Sequence, residues 1–394
     1  MEILKDFFIR IRNIVWREII IFSHRPVFLF CMIIAPLLCI IFFTSLMHAG
    51  LPKRLPAAIV DEDNTHVTRI VIRILDSFEE TNVKYVYKSF NEARKSMQRG
   101  DIYAFFYIPK GTTKKAESSR QPRISFYTND AYFVPGNLLM KDMKTASELI
   151  GLALTRESLY GNGYNERDAL GVLQPIVIET HPLKNSFLDY SVYLNNMLVP
   201  GIIILLIMLS TTYSIGLEWK QKRQKLLYEM AGESQYVALT GKLLPQTFIF
   251  CLMMIFMDVY FYKFLGFPCN CGIVAMMGVS VLTVLASQGF GIFLFGIMAG
   301  EMRLAMCICS LWGILSFSLA GFTYPVTAMD PFLRALAVWF PLRHYYLIYV
   351  DLALNGYPVK YVWTSVLALV GFCLMPLLVH NVYRKAFLKY NYIR

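Results

Sequence analysis

The sequence predicts a membrane protein with an all-α, six-helix transmembrane domain, an amphipathic N-terminal interfacial helix and an inserted α/β domain on a mixed sheet. Three observations support this fold class. Of the 394 residues, 56% are hydrophobic and only 16% are charged, which is unlike a soluble globular domain. Six apolar stretches have the length of a membrane-spanning helix. Between the first two lies a more polar region, residues 47–191, of about one domain in length.

Residues 1–26 are predicted to form an amphipathic helix that lies in the cytoplasmic headgroup layer. Apolar side chains recur at helical spacing, Lys5, Arg10 and Arg17 fall mostly off that stripe, and Trp16 suits an interface. Five Lys or Arg residues precede the first span and no small-residue cleavage pattern follows it, so we do not expect a cleavable signal peptide. The first span is predicted over residues 27–46, with a kink at Pro36.

Residues 47–191 alternate between strand and helix patterns, which predicts an α/β or α+β domain exterior to the cell. The predicted strands are Ala57–Asp61, Val83–Tyr87, Ile102–Ile108, Ile124–Tyr127 and Ile176–Glu179. The predicted helices are Asn64–Phe78, Asn91–Arg99 and Gly136–Tyr160.

This region has no Gly-rich phosphate loop, paired catalytic carboxylates or Ser/His/Asp arrangement, so enzymatic chemistry is not expected there. The acidic run Asp61–Asp63 has two interpretations. It belongs to a loop that caps the next helix through Asn64 or Thr65, or it holds a metal ion; the capping loop is the favoured one.

The second span, residues 195–217, and the segment after it, residues 218–242, are central to the functional prediction. The span is uncharged, whereas basic residues follow it at once, which marks this membrane edge as cytoplasmic. These residues are Lys220, Lys222, Arg223 and Lys225. A short charged helix continuous with the span would act as a lever that tilts it. Alternatively, the basic residues only anchor the topology.

Four further spans are predicted at residues 243–267, 272–298, 304–322 and 362–382. Residues 324–354 are too short to cross twice and are interrupted by Pro325, Pro331 and Pro341. They are therefore predicted to form interfacial or re-entrant helices on the exterior side. Residues 383–394 form a tail with four basic residues, and the positive-inside rule places both termini in the cytoplasm.

The net charge of +11 does not indicate a nucleic-acid partner, because cytoplasmic membrane loops produce the same balance and no aromatic-basic binding face occurs elsewhere. Six of the eight cysteines lie in apolar spans, where Cys behaves as a small hydrophobe. Cys269 and Cys271 fall in an exterior turn. A two-ligand metal site is conceivable there, but four-ligand spacing is absent and no metal is expected.

Asp258 is the one carboxylate well inside a predicted span. It either marks a translocation or ion path, or is satisfied by Lys263 and the nearby interface. Ser287 and Gln288, in the middle of the fourth predicted span, are expected to join helices by hydrogen bonds.

Several segments in order resemble the permease subunits of bacterial ABC-2 type exporters, in the branch with a large periplasmic domain between the first two spans. They are HRPVFLF and APLL, AAIVDEDNTHVTRIVIRIL, FNEARKSMQRGDIYAFFYIPKG, LTGKLLPQ, and SLAGFTYPVTAMDPFLRALAVWFPLRHYY. The matching positions in the last two segments are Gly241, Lys242, Pro245, Gly321, Phe322, Pro325, Met329, Pro341 and Leu342. The resemblance covers essentially the whole chain.

The resemblance implies that two such subunits, or one with a homologue, pair in the bacterial inner membrane. Each subunit would dock a separate ABC ATPase through the helix after the second span, here Glu218 to about Met230. The implied coupling residues are Glu218, Lys222, Arg223, Leu226, Leu227 and Met230. This sequence departs from the family pattern after Arg223, because Gln224-Lys225 stands where Gly-Thr is expected.

In this family the second and fifth spans chiefly line the pore. With the polar side chains of those spans and Asp258, the expected substrate path comprises Ser210, Thr211, Trp312, Ser316 and Asp258. The mostly aliphatic lining indicates an amphiphilic or lipophilic substrate taken from the membrane, with membrane lipid as a neighbour. A periplasmic adaptor protein is a further partner by family analogy.

The chain lacks a phosphate-binding loop, since Thr240-Gly241-Lys242-Leu243 has neither the upstream glycine nor the hydroxyl residue. No directly bound cofactor is expected, and ATP and Mg would reside on the partner ATPase. The favoured function is therefore a non-enzymatic export permease. A membrane receptor with a ligand-binding exterior domain is the alternative, although no cytosolic output domain is evident. A membrane-embedded transferase is a third alternative. It would need clustered His, Asp or Glu residues near a membrane face, and only His344 with Asp330 and Asp351 approaches that requirement.

Overall fold

The computed structural model describes residues 2–118, 120, 123–174, 189–298 and 301–389. The chain forms two compact units. The membrane unit comprises Met1–His48 and Pro182–Arg394, and the inserted unit comprises Ala49–His181. The predicted strand Ile176–Glu179 and the last five residues of the predicted tail lie outside the described residues.

The inserted unit contains four strands and five helices among its described residues. The strands are β1 (Leu55–Asp61), β2 (Thr81–Tyr87), β3 (Ala104–Ile108) and β4 (Ser125–Thr128). The helices are α2 (His66–Asp76), α3 (Phe90–Arg99), α4 (Thr112–Glu117), α5 (Phe133–Gly161) and α6 (Glu166–Leu173), with α1 in the membrane unit. The sequence pattern missed α4 and α6, which have only six and eight residues.

The strands form one mixed sheet in the order β2-β1-β3-β4. Strand β1 runs parallel to β2 and β3, and β4 is antiparallel to β3. Successive residues of a strand point to opposite faces. Ala57 and Ile59 therefore pack with α2 and α5 on one face, whereas Ala58 and Val60 pack with α3 on the other. Helices cover both faces of the parallel strands β1 and β3, which explains why their sequences, LPAAIVD and AFFYI, are mostly apolar.

The acidic run after β1 orders a loop, as the sequence predicted. Asp61 Oδ1 accepts hydrogen bonds from the backbone N–H groups of Asp63 and Asn64, at 3.0 and 2.8 Å. Of the two predicted caps, Thr65 is the one used, since its side chain accepts from Thr68 N. Desolvation raises the pKa of Asp63, but hydrogen bonds from Thr113 and Gly111 outweigh it and hold that pKa below its ordinary value.

The membrane unit begins with α1 (Glu2–Ser23). Among the described residues, six helices are long and apolar enough to cross a membrane. They are span 1 (Pro26–Leu46), span 2 (Tyr190–Lys220), span 3 (Gln235–Phe264), span 4 (Ile273–Ile297), span 5 (Met302–Leu319) and span 6 (Trp363–Leu388). Span 2 extends beyond the predicted residues 195–217 at both ends, and span 3 begins before the predicted residue 243, at Gln235.

Between spans 2 and 3 lies the short helix α7 (Gln224–Met230). The expectation of a helix continuous with span 2 is wrong. The helix breaks after Lys220, and Lys222 has a φ of 57°, in the left-handed region that an α-helix does not use. Glu218 thus belongs to the last turn of span 2, and α7 is a separate element. We call this side of the membrane unit the α7 end.

At the opposite end, residues 324–354 form two short helices, α8 (Pro331–Ala337) and α9 (Pro341–Ile348). Helix α9 continues as a π-helical turn over Tyr349–Leu354. Neither helix is long enough to cross a bilayer. Asp330 caps α8 by accepting from Phe332 N, and Leu342, Tyr345 and Tyr349 of α9 and its continuation are buried among the spans.

Span 2 is the central helix of the membrane unit, in contact with spans 1, 3, 4 and 5 and with α9. Small residues allow its close packing against span 5. A side chain at Gly313 would overlap Leu205, and one at Gly216 would overlap Met302. Such small-residue contacts let helix backbones approach closely where no hydrophobic effect drives association.

The packing of span 4 against span 6 also depends on a glycine, Gly289. A Cβ at Gly289 would overlap the backbone carbonyl of Phe372 and lie 3.0 Å from Cys373 Cα. Gly289→Ala should therefore destabilise the purified protein by about 1–3 kcal/mol, because backbone atoms cannot move aside as a side chain can. Thermal unfolding in detergent measures this.

Gly278→Ala on the same helix is the matched control, since nothing lies within 4 Å of its added Cβ. It should be neutral or slightly stabilising, because Ala favours helix over Gly. Equal unfolding temperatures for the two variants would contradict the packing argument.

Candidate coupling site

Four charged side chains meet in the interior near the α7 end. Arg17 and Glu18 come from α1, Glu218 from the last turn of span 2 and Lys242 from the third turn of span 3. Lys242 Nζ lies 2.8 Å from Glu18 Oε2 and 3.0 Å from Glu218 Oε2. Arg17 pairs with Glu18 at 3.1 Å and also with Glu218 Oε1. Each cation thus contacts both carboxylates, and we call this set the ion ring.

The ion ring is electrically balanced, and three of its four side chains are almost fully buried, whereas the Arg17 side chain is 16% exposed. Glu18 is 0% exposed, Lys242 2% and Glu218 4%. Burying such charges is unfavourable unless every one is paired and hydrogen-bonded. The two cations and two carboxylates balance and pair with each other, whereas removal of any one of the four would leave an unbalanced charge. The ion ring therefore fixes α1, span 2 and span 3 in one relative position.

An apolar cluster beside the ion ring holds α7 in place. Leu227 of α7 is buried with Ile14 and Trp219, and Tyr228 stacks on Phe387 of span 6 with ring centroids 5.5 Å apart. Ile14 also lies against Gly241, where an added Cβ would approach to 3.0 Å. The inner face of α7 is thus packed against α1 and spans 2, 3 and 6.

The structure divides the six predicted coupling residues into two groups. Lys222, Arg223 and Leu226 are exposed on the outer surface of the α7 segment, and Met230 is half-buried. Leu227 belongs to the apolar cluster. Glu218 belongs to the ion ring, so it is not a surface contact as the sequence interpretation assumed.

Sequence reasoning missed Arg17, Glu18 and Lys242 as parts of this site. A signal was present for two of them. Glu18 lies four residues after Ile14 and four before Phe22, on the apolar stripe of α1, and Lys242 is flanked by the buried Gly241 and Leu243. A charged residue on an apolar helix face indicates a buried partner. The identity of that partner follows only from the fold.

Of the residues predicted to line a substrate path, those of spans 2 and 5 are buried or bonded to other protein groups in the structure. Thr211 is fully buried and accepts a hydrogen bond from Gln246 Nε2 of span 3 at 2.8 Å. Ser316 is buried and donates to Gly313 O within its own helix. Trp312 Nε1 donates to Trp339 O, and its ring stacks on Phe340. Ser210 is also buried. A substrate would reach Ser210, Thr211 and Ser316 only if the packing around span 2 opened.

Asp258 lies apart from those residues, between spans 3 and 4. Its Oδ2 accepts a hydrogen bond from Ser280 Oγ of span 4 at 2.7 Å. The interpretation that Lys263 satisfies it is wrong, since Lys263 is exposed and the ion pairs of the described residues do not include Asp258.

The two mid-span residues of span 4 differ in role. Gln288 joins helices as predicted, because Thr247 Oγ1 of span 3 donates to its Oε1 at 2.7 Å. Ser287 bonds to Thr283 O of its own helix, so the prediction for it was wrong. The sulfurs of Cys269 and Cys271 lie 3.9 Å apart. Among the described residues, no group of three or more His, Cys, Asp or Glu side chains could hold a metal ion.

Six apolar spans packed around a central helix are typical of the membrane component of a transporter. The sequence matches the family model of ABC-2 family transporter proteins over residues 26–379. The chain therefore belongs to the ABC-2 family of transporter proteins. It is a multi-pass membrane protein with a transport function, which favours the permease over the receptor and the transferase. No curated protein matches the chain.

The ion ring gives a prediction about stability. Lys242→Met leaves two buried carboxylates with only Arg17, and breaking a buried ion pair in this way lowers stability by about 3–5 kcal/mol. Lys220→Met is the control, because Lys220 is exposed in the same region and should change stability by less than about 0.5 kcal/mol. Thermal unfolding in detergent compares the two.

A second substitution tests whether unbalanced charge causes the loss of stability in Lys242→Met. Lys242→Met combined with Glu218→Gln leaves one cation and one carboxylate, so the double variant should unfold at a higher temperature than Lys242→Met alone. A double variant no more stable than the single one would show that lost packing, and not unbalanced charge, explains the effect.

Proposed function

We propose that this chain is the membrane subunit of an ABC exporter, which moves an amphiphilic or lipophilic substrate out of the cytoplasm or the inner leaflet. A separate ABC ATPase would supply the energy and carry the ATP and Mg. One observation carries the proposal: α7 presents an exposed outer surface, while its inner face is packed onto the helices joined by the ion ring.

The first step of the proposed cycle is docking of the ATPase on α7. Leu226 is 53% exposed and is flanked by the exposed cations Lys222, Arg223 and Lys225. An exposed apolar side chain surrounded by polar residues is typical of a protein interface, where a few such anchors carry most of the binding energy. This basic rim favours an ATPase surface with acidic residues, because complementary charge speeds and orients association.

The second step is transmission of movement from α7 to the spans. The turn at Gln221–Arg223 separates α7 from span 2, so α7 does not act as a rigid extension of that span. Force would instead pass through Leu227 and Tyr228 into the apolar cluster and through the ion ring. Since the ion ring joins α1, span 2 and span 3, these helices would move as one body relative to span 5.

The third step requires a second copy of the chain or a homologous subunit. Span 5 exposes Leu311, Ile314 and Leu315, and span 2 leaves Leu206 and Leu209 half-buried. Pairing of two subunits over these spans would enclose a path between them. Movement of span 2 against span 5 would then expose Ser210, Thr211 and Ser316, which remain predicted path residues together with Trp312.

The nearly aliphatic surfaces of spans 2 and 5 support an amphiphilic or lipophilic substrate, because a bare ion needs polar ligands along its route. The basic α7 segment supports a cytoplasmic location for the α7 end, with both termini on that side of a bacterial inner membrane. The inserted unit would then face the periplasm, where an adaptor protein is a proposed partner.

The docking step is tested with one substitution and a matched control. Leu226→Glu should weaken retention of the ATPase on the affinity-purified chain by about tenfold or more, since loss of an interface anchor costs about 2 kcal/mol. Leu170→Glu introduces the same change at a leucine of α6 in the inserted unit, which is 51% exposed. Equal retention by the two variants would contradict docking on α7.

The substrate class is tested by comparing cells that lack the chain with cells that express it. Amphiphilic compounds should accumulate in the cells or their membranes when the chain is absent, and the wild-type chain should reverse this. Metabolite and lipid profiling of cells and medium measures this accumulation. Retention of only a small inorganic ion would contradict the proposed substrate class.

A further inference from the structure

Asp258 carries a carboxyl group that is buried without a countercharge. It lies two turns before the end of span 3 and is 0% exposed. Ser280 Oγ donates to its Oδ2 at 2.7 Å, whereas Oδ1 has no hydrogen-bond partner. The coupling mechanism proposed above does not use this residue, which lies away from the α7 end.

The titratable groups that face Asp258 are all acids. Tyr262 comes from the same span, Cys269 and Cys271 from the turn after it, and Tyr345 from α9. The two basic residues of α9 face elsewhere, since Arg343 donates to Ala320 O and His344 bonds to Val338 O. In the described part of the chain, no Lys, Arg or His pairs with Asp258.

An ionised carboxylate in such a place is strongly disfavoured, and the least costly way to neutralise it is a proton. A metal cation fits the site less well. A hard cation typically takes about six oxygen ligands. Here Ser280 already bonds the carboxylate, Tyr262 donates to Asn196 Oδ1 at 3.3 Å, and Tyr349 donates to Val192 O at 3.4 Å.

The hydroxyl of Tyr345 is a second unpaired polar group in this region. Tyr345 is fully buried, and its hydroxyl has no hydrogen-bond partner. It lies within electrostatic range of Asp258. Tyr345 thus adds a neutral hydroxyl group, and not a countercharge, to the surroundings of the carboxyl group.

We propose that Asp258 is a proton-binding site, and that the proton bound on Oδ1 holds span 3 packed against span 4 and α9. On release, the Oδ1–H bond breaks, the proton passes to water and the carboxylate keeps the electron pair. The ionised group then draws in water and loosens this end of the membrane unit. The proposal is independent of the substrate and of the ATPase.

The test is thermal unfolding of the purified full-length chain in buffers from mildly acidic to mildly alkaline. The folded wild type holds a proton that the ordinary carboxyl of the unfolded chain has lost, so stability falls as the pH rises. The ratio of folded to unfolded protein should fall about tenfold per pH unit from this group while it stays protonated. Asp258→Asn mimics the protonated carboxyl and should remove that part of the slope.

Asp351→Asn is the matched control and should keep the wild-type slope. Asp351 follows α9, is half-buried and accepts a hydrogen bond from Asn355. An unchanged slope in Asp258→Asn would overturn the proposal. So would stabilisation of the wild type by Na⁺ or K⁺ in alkaline buffer that Asp258→Asn abolishes, because that result assigns a metal cation to the site.

Infrared spectroscopy keeps the proposal testable if Asp258→Asn does not fold. The chain labelled with ¹³C-aspartate should show the carbonyl band of a protonated carboxyl group at neutral pH, and the band should disappear as the buffer becomes alkaline. The measurement is made in an Asp142→Asn background, because burial raises the pKa of Asp142 in the inserted unit and would add a second band. Absence of the band at neutral pH would overturn the proposal.

Discussion

The ion ring of Arg17, Glu18, Glu218 and Lys242 is the constraint on which the arrangement of the α7 end depends. Its members come from three helices that are distant in sequence, and each charge is tolerated only because the other three are present. A small displacement of one helix would leave charges unpaired in an apolar interior. We therefore expect α1, span 2 and span 3 either to keep one arrangement or to separate altogether. A group of helices that moves as a rigid body in a transporter needs such an all-or-none arrangement.

In the proposed cycle, this constraint determines which helices α7 would move. A continuous helix would have made α7 a lever on span 2 alone, but the turn around Lys222 removes that direct link. Leu227 and the ring of Tyr228 connect α7 instead to α1, span 3 and span 6. A partner bound to Leu226 and its basic neighbours would thus act on a group of helices. At the opposite end, Asp258 and Ser280 form a second buried polar centre, and no Lys, Arg or His of the described residues pairs with that carboxyl group.

Much of the fold could be predicted from the sequence because it depends on local patterns. The apolar runs gave the six spans, and the alternation of strand and helix gave the mixed sheet of the inserted unit. The break at Lys222 could not be predicted, since no Gly or Pro marks it. The ion ring was missed for a different reason: Glu18 and Lys242 are separated by 224 residues, and only the folded chain brings them together. The likeness to a known family predicted a coupling segment at residues 218–242 but gave no indication of the buried face of α7.

The ion ring and the apolar cluster together are expected to make α1 and α7 one rigid body within a subunit. Spin labels at the exposed positions Asn13 and Glu229 test it by pulsed electron paramagnetic resonance, in a complex with the ATPase where one subunit carries both labels. The distance distribution should be the same without nucleotide and with ATP trapped on the partner. It should broaden when Lys242→Met and Glu218→Gln remove half of the ion ring. A change of distance in the wild-type subunit on ATP binding would contradict the account.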